Sequence, residues 1–262
     1  MANPELKWWH VRWGLWGRGL KKVGFWLAVV LAIGWTIDLA LVCCFKFFEP
    51  CLSVWSLRHE PEAWLVPAPA QDQSVVQLSG ARVEALGFSI QMPWSEQPEI
   101  HTHTTSTSIN FPNEGLLLIL ENPDFDGGLA QRWRTTPEAL RILHDQERRS
   151  SYQLTAAAMA TTPRDAAWWR TPGENQRVLV LLSRKLFATA EPSAIYNVSG
   201  PAMRGFQFES KLMPHKLVQL KLFDSADREL DIRIFNGIGD RPTLTQAQIN
   251  SMIASISLSG QK

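Results

Sequence analysis

Residues 23–45 form a run of 23 positions whose side chains carry a single charge, Asp38. Coiled as an α-helix it would span about 34 Å at ~1.5 Å per residue, enough to cross a hydrocarbon layer of about 30 Å with some tilt. Lys21 and Lys22 fence one end and Lys46 the other. The run therefore partitions the chain. Residues 1–22 read as a basic, Trp-rich cytoplasmic tail, 23–48 as a transmembrane helix, 49–73 as a Pro-rich linker and 74–262 as an exported α+β domain. A cleavable signal peptide has a shorter apolar core followed closely by small residues. Here Ala68-Pro69-Ala70 is too distant and too proline-rich, and no small residue sits just before Cys43 to mark lipid attachment. The segment reads as an uncleaved signal anchor.

Charge sets the expected orientation. Lys7, Arg12, Arg18, Lys21 and Lys22 precede the run, whereas its other flank through Gln71 offers only Lys46 and Arg58, accompanied by Glu49, Glu60 and Glu62. Positive loops stay inside, which keeps the N-terminus in the cytoplasm and places the C-terminal domain on the periplasmic side of the inner membrane. Trp8, Trp9, Trp13 and Trp16 alternate with the basic residues, so membrane lipid is an expected partner of the tail. From residue 72 onward, 19 basic residues face 20 acidic ones, a balance without the electrostatic footprint of a nucleic-acid binder. Cys43, Cys44 and Cys51 all lie in or beside the run; a disulfide framework and a Cys-based metal site in the domain are thereby excluded.

Two features within the run suit a partner helix. Gly24, Ala28, Ala32, Thr36, Ala40 and Cys44 recur every four residues as a ridge of small side chains that lets backbones approach. Asp38, one turn from Gly34 and Val42, either pairs with such a helix or is tolerated near the outer end by tilt, snorkelling or protonation.

Beyond the run, the prolines of residues 49–73 suggest an extended spacer, with Trp55 and Trp64 touching either the outer interface or the domain. "ARVEALGFSIQMPW" reads as strand, turn, strand, "HTHTTSTSINF" as Thr-rich β-structure and "GLLLILEN" as a buried strand. The middle is expected to be helical, with starts at Thr135-Thr136-Pro137 and Thr161-Thr162-Pro163, where threonine caps and proline enters the first turn. "NQRVLVLLSRKLFA" fits a third helix better than a strand. Val218, Leu220 and Leu222, then Leu230, Ile232 and Ile234, alternate with polar residues around the turn "DSADR", which predicts an antiparallel hairpin with one buried face. Thr245 and Gln248 predict a capping box for a last helix that packs Ile249, Met252, Ile253 and Ile256 on the sheet. The fold class is α+β, an antiparallel sheet covered by helices, preceded by one transmembrane helix.

"GFSIQMP", the long helical middle, the closing hairpin and a final helix ending "IASISL" resemble PsbP-type α-β-α sandwich domains over residues 82–258. Such domains occur in exported accessory proteins, among them extrinsic subunits of photosystem II. The resemblance implies the fold and a non-catalytic, assembly-associated character, and it brings no functional residues with it.

Motifs that carry chemistry are scarce. There is no G-x-S-x-G, H-E-x-x-H or Walker sequence, and "GIGDRP" lacks the third glycine of a dinucleotide fingerprint. His101 and His103, with Glu99, would place two imidazoles on one strand face, as a metal pair or as an exposed Thr/His-rich loop. Asp224, Asp227, Glu229 and Asp231 crowd one turn without calcium-loop spacing. Trp168-Trp169 is either core or an exposed docking pair. No catalytic residue, metal ligand or cofactor is assigned. The expected role is a membrane-anchored binding or assembly module for a protein partner in the membrane or envelope. The alternatives are a metal-dependent hydrolase built on the histidines, or a carrier of a lipid or small apolar ligand.

Overall fold

Alternation of apolar and polar side chains over residues 216–236 builds the centre of a large sheet. The computed structural model describes residues 33–37, 49–70, 72–121, 150–188, 192–210, 216–236 and 243–258. The chain divides into two units, Met1–Pro50 and Cys51–Lys262. In the first, residues 33–37 are helical, Ile33, Trp35 and Ile37 are exposed, and a Cβ added at Gly34 would meet nothing. The basic tail and the rest of the apolar run, including Gly24, Ala28, Ala32 and Asp38, lie outside the described residues. Among the described residues, no helix is long and apolar enough to cross a membrane.

The second unit contains strands β1 (Ala68–Pro69), β2 (Arg82–Ala85), β3 (Phe88–Gln91), β4 (Glu99–Thr102), β5 (Ser106–Phe111), β6 (Gly115–Glu121), β7 (Pro192–Ser199), β8 (Arg204–Ser210), β9 (Lys216–Phe223), β10 (Glu229–Asn236) and β11 (Ser257–Leu258). Besides a helical segment at residues 51–56, its described α-helices are α1 (Ser151–Ala160), α2 (Pro172–Ala188) and α3 (Gln246–Ser255). Eight strands form one sheet in the order β1-β7-β8-β9-β10-β6-β5-β4, and β11-β3-β2 form a smaller one. Every join in the large sheet is antiparallel except β1 to β7. The two meanders, β4–β6 and β7–β10, meet where β10 lies against β6.

The pleat gives the large sheet two unlike faces. Val218, Leu220, Leu222, Leu230, Ile232 and Ile234 share one face with Ile109, Phe111, Leu117 and Ile119. Ile249, Met252 and Ile253 of α3 and Val83, Phe88 and Ile90 of the small sheet complete that core. The other face carries Ile195, Phe206 and Phe208 beneath Met159 of α1 and Ala188 of α2, while Leu154 and Ala158 join α1 to Val180 and Leu181. Helices therefore lie on both sides of a mostly antiparallel sheet.

Several expected elements form for the expected reasons. The amide of Gln248 donates to Thr245 Oγ1 at 3.3 Å, and the amide of Thr245 donates to Gln248 Oε1 at 2.9 Å, closing the capping box of α3. "NQRVLVLLSRKLFA" is the body of α2. The β2–β3 turn holds Leu86 at φ 53° and Gly87 at φ 80°, the left-handed pair that a two-residue hairpin loop requires.

Three expectations change. The β9–β10 hairpin is buried on both faces, because α1 and α2 cover the side on which Gln219, Lys221 and Asp231 point. Thr162-Pro163 opens only one 3-10 turn, Pro163–Asp165, capped by the Asp165 carboxylate; the helix lies before it and ends at Ala160. Thr135-Thr136-Pro137 is outside the described residues. The stretch read as an extended spacer is folded: residues 51–56 are helical, Leu57–His59 and Pro61–Trp64 are 3-10 turns, and β1 joins the sheet edge. Val54, Leu57 and Ala63 are buried with Ala166, Val178 and Leu182.

Lys185 explains why that proline-rich segment holds its place. The turns leave carbonyls aimed inward, and the buried Lys185 Nζ donates to those of Ala63 at 3.2 Å and Leu65, and to that of Thr161 at 2.9 Å. Burial lowers its pKa to about 8, against the pull of Asp165 in the other direction. A second tie runs from the β9–β10 turn, where Asp227, at φ 63°, accepts from the amides of Ser151 and Tyr152, the latter at 3.0 Å. A carboxylate at a helix N-terminus is favoured by both the free amides and the helix dipole. Asp227→Asn keeps the backbone tolerance but removes the charge. It should lower stability by about 1 kcal/mol, read as a lower urea midpoint at unchanged slope.

Candidate functional site

The loop between the 3-10 turn at Pro163–Asp165 and α2 displays the most exposed aromatic surface among the described residues of the second unit. Trp168 is 68% and Trp169 73% exposed, and their rings meet edge to face with centroids 5.6 Å apart. Of the two alternatives left open by the sequence, core or display, the structure selects display. Burying such a ring removes about 150–250 Å² from water, worth roughly 4–6 kcal/mol at about 25 cal/mol/Å². The chain forgoes that gain twice over.

The loop is nonetheless tightly held. The buried Asn175 side chain brackets Ala167, accepting from its amide at 3.1 Å and donating to its carbonyl at 2.9 Å. The Arg170 amide donates to the same carbonyl at 3.0 Å. Beyond it, the amide and hydroxyl of Thr171 donate to Glu174 Oε2, each at 2.8 Å, and the Glu174 amide returns a bond to Thr171 Oγ1 at 3.3 Å. Those bonds hold the Glu174 carboxyl below its usual range. Ala166 and the bracketed Ala167 are both buried. The two indoles are thus presented by an ordered backbone, an arrangement suited to recognition because little ordering remains to be done on contact.

A second constellation lies on the sheet face beneath the helices. Lys221 Nζ pairs with Glu229 Oε1. Gln219 Nε2 donates to Asp231 Oδ2 at 2.8 Å, and Arg233 Nε lies 3.8 Å from Asp231 Oδ1. Burial pushes the Lys221 pKa down, against the opposing pull of Glu229 and Asp231, and Arg184 of α2 adds to the fall. Burial likewise pushes Asp231 up, while Lys221, Arg233 and Gln219 resist. Arg233 is the member of this group that reaches solvent. The sequence hid the group: polar residues alternating in a hairpin look solvated, and the cover comes from α2, far away in the chain. Lys221, Glu229 and Asp231 are sealed from solvent, and the ion pair and hydrogen bond given above run between β9 and β10.

The remaining candidates separate. β4 is exposed throughout, and the His103 amide donates to the Ser106 carbonyl at 2.7 Å to close the β4–β5 turn. Among the described residues, no three His, Cys, Asp or Glu side chains are placed to hold a metal ion. The acidic cluster at the β9–β10 turn divides by task. Asp224 accepts from the amides of Ala226 at 2.9 Å and Arg228 at 2.8 Å and from Arg228 Nε at 2.7 Å. Burial works against its charge, but these bonds hold the carboxyl below its usual range. Asp227 caps α1, Glu229 pairs with Lys221, and Asp231 bonds Gln219.

Asn175→Ala leaves the amide of Ala167 without its acceptor and its carbonyl with the Arg170 amide alone, and should cost about 2 kcal/mol, with faster tryptic cleavage after Arg170 as the local readout. Lys221→Met strands Glu229 and should cost about 3–5 kcal/mol, whereas Lys221→Met/Glu229→Leu should recover most of that loss; chemical denaturation of the three proteins measures both.

Compared with protein-family models, curated proteins and solved structures, the chain matches none. The functional reading therefore rests on the geometry above.

Proposed function

We propose that this chain is a single-pass, membrane-anchored protein whose exported α+β domain is a non-catalytic binding and assembly module, docking a protein partner of the membrane or envelope through Trp168 and Trp169. The observation that carries the reading is the indole pair held out on a bracketed loop. Tryptophan is enriched among the residues that dominate interface energies, and rigid presentation limits the entropy lost on association. The anchor, its orientation and the place of Asp38 and Gly34 against a partner helix rest on the sequence arguments of charge bias and small-residue spacing. The PsbP-type likeness belongs to the same reading and is supported by the helices on both faces of an antiparallel sheet that ends in a hairpin and a last helix.

The experiment is affinity purification of the full chain from its own membranes after mild crosslinking. Wild type should recover a stoichiometric protein partner, and Trp168→Ala/Trp169→Ala should reduce recovery more than about tenfold, since hot-spot losses of 2 kcal/mol or more exceed that factor. Equal recovery by the variant removes the docking assignment. An alkaline phosphatase fused after Lys262 should be active; an inactive fusion beside a fluorescent cytoplasmic reporter inverts the topology.

A further inference from the structure

β4 ends the large sheet: one side of its backbone pairs with β5 and, among the described residues, the other side pairs with no strand. The His103 amide donates to the Ser106 carbonyl at 2.7 Å, and in the same register His101 lies opposite Ser108 and Glu99 opposite Asn110. Bonding alternates along an antiparallel pair, so residues 99, 101 and 103 bond inward. The amides and carbonyls of Ile100 and Thr102 therefore face outward, a template for one more strand.

That edge is complementary to itself. Laid antiparallel against a second copy with Ile100 opposite Thr102, it satisfies all the outward groups of both residues on both chains, and Ile100, 47% exposed, gains cover. Setting Ile100 opposite Ile100 instead would bring Thr102 against Pro98, which has no amide to give. Setting Thr102 opposite Thr102 would bring Ile100 against Thr104, beyond the strand in the β4–β5 turn. In the favoured register His101 meets His101 across the two-fold, and Glu99 lies directly opposite His103 of the second copy. Carboxylate thus faces imidazole at both ends. These are the close pairs of an antiparallel ladder, with Cα atoms about 4.5 Å apart, and all these side chains share one exposed face.

Within one chain the same groups are strung along a line. Glu99 and His103 are about 13 Å apart along the strand, too far to meet on one ion, in keeping with the lack of any three-ligand group among the described residues. The second copy closes the line. Its Glu99 comes level with His103 of the first, so that two imidazoles and a carboxylate surround one point, a donor set suited to zinc with a further position for water.

We propose that the β4 edges of two copies of this chain pair antiparallel and bind one zinc ion per chain, each ion held by His101 and His103 of one copy and Glu99 of the other. Asn110 Nδ2 already donates to Glu99 Oε2 at 3.1 Å, which orients the carboxylate and leaves its second oxygen for the ion. The surface is distinct from Trp168 and Trp169, and the proposal stands whether or not those rings dock a partner.

The test uses the full chain, without a polyhistidine tag, in dodecyl maltoside with zinc chloride as the probe. Light scattering reads the protein mass of the particle, and elemental analysis after gel filtration reads bound zinc. Zinc should double the mass and load one ion per chain, and EDTA should reverse both. His101→Ala/His103→Ala and, separately, Glu99→Gln should each lose the zinc and the doubling while keeping the wild-type urea midpoint, since all three positions are exposed. Mixed in equal amounts, the two variants should regain one zinc per two chains, because each supplies what the other lacks. A wild type that binds no zinc, zinc bound without doubling, doubling that survives EDTA or the histidine variant, or a mixture that stays zinc-free overturns the proposal.

Discussion

The β9–β10 ladder is the constraint on which the second unit depends. Its register runs unbroken from Glu229 opposite Phe223 to Asn236 opposite Lys216, and both meanders grow outward from it. Because side chains alternate with period two, this register decides two things together. It sends Leu220 and Ile232 to the α3 face and Lys221 and Asp231 to the α2 face. A slip of one residue would drive the charged set into the apolar core. The buried ions thus select a register more than they add stability, since the cost of desolvating them offsets most of their mutual attraction.

What could be read from the sequence was whatever a local pattern encodes. Thr245 with Gln248 announces a helix start, Leu86-Gly87 between short apolar stretches announces a turn, and the alternation at residues 218–234 announces a hairpin. Each depends on neighbours a few positions apart. Apart from the Thr162-Pro163 turn, whose capping by Asp165 is local, the errors concern partners distant in the chain. Whether Gln219 and Lys221 are wet depends on α2, and whether the prolines of residues 49–73 form a spacer depends on Lys185, more than a hundred residues later. A lysine inside "LLSRKLFA" looks like a solvated side chain on an amphipathic helix, and nothing local shows that its ammonium gathers carbonyls from two earlier stretches of the chain.

The candidate site was half legible for the same reason. Two adjacent tryptophans stand out in any composition, but the choice between core and display turned on Asn175, whose amide pins the loop by its backbone while leaving both rings outside. Trp64 shows the contrast: its indole N–H donates to the Arg58 carbonyl at 2.9 Å and its ring lies under the Arg164 guanidinium, 5.6 Å from the centroid. There the aromatic surface is used within the domain. At Trp168 and Trp169 it is left exposed.

The pairing of β1 with β7 sets an order of events. Ala68 and Pro69 lie beside Tyr196 and Asn197, and the carbonyls of Ala63 and Leu65 meet Lys185, so the earliest part of the domain to be made closes on parts made much later. Local hairpins such as β9–β10 can form as soon as they emerge, but this closure joins distant stretches and must wait for them. During synthesis Val54 and Leu57 therefore stay uncovered until α2 has been made. The small sheet waits longer still, since β3 cannot complete its pairing until β11, at residues 257–258, has been made.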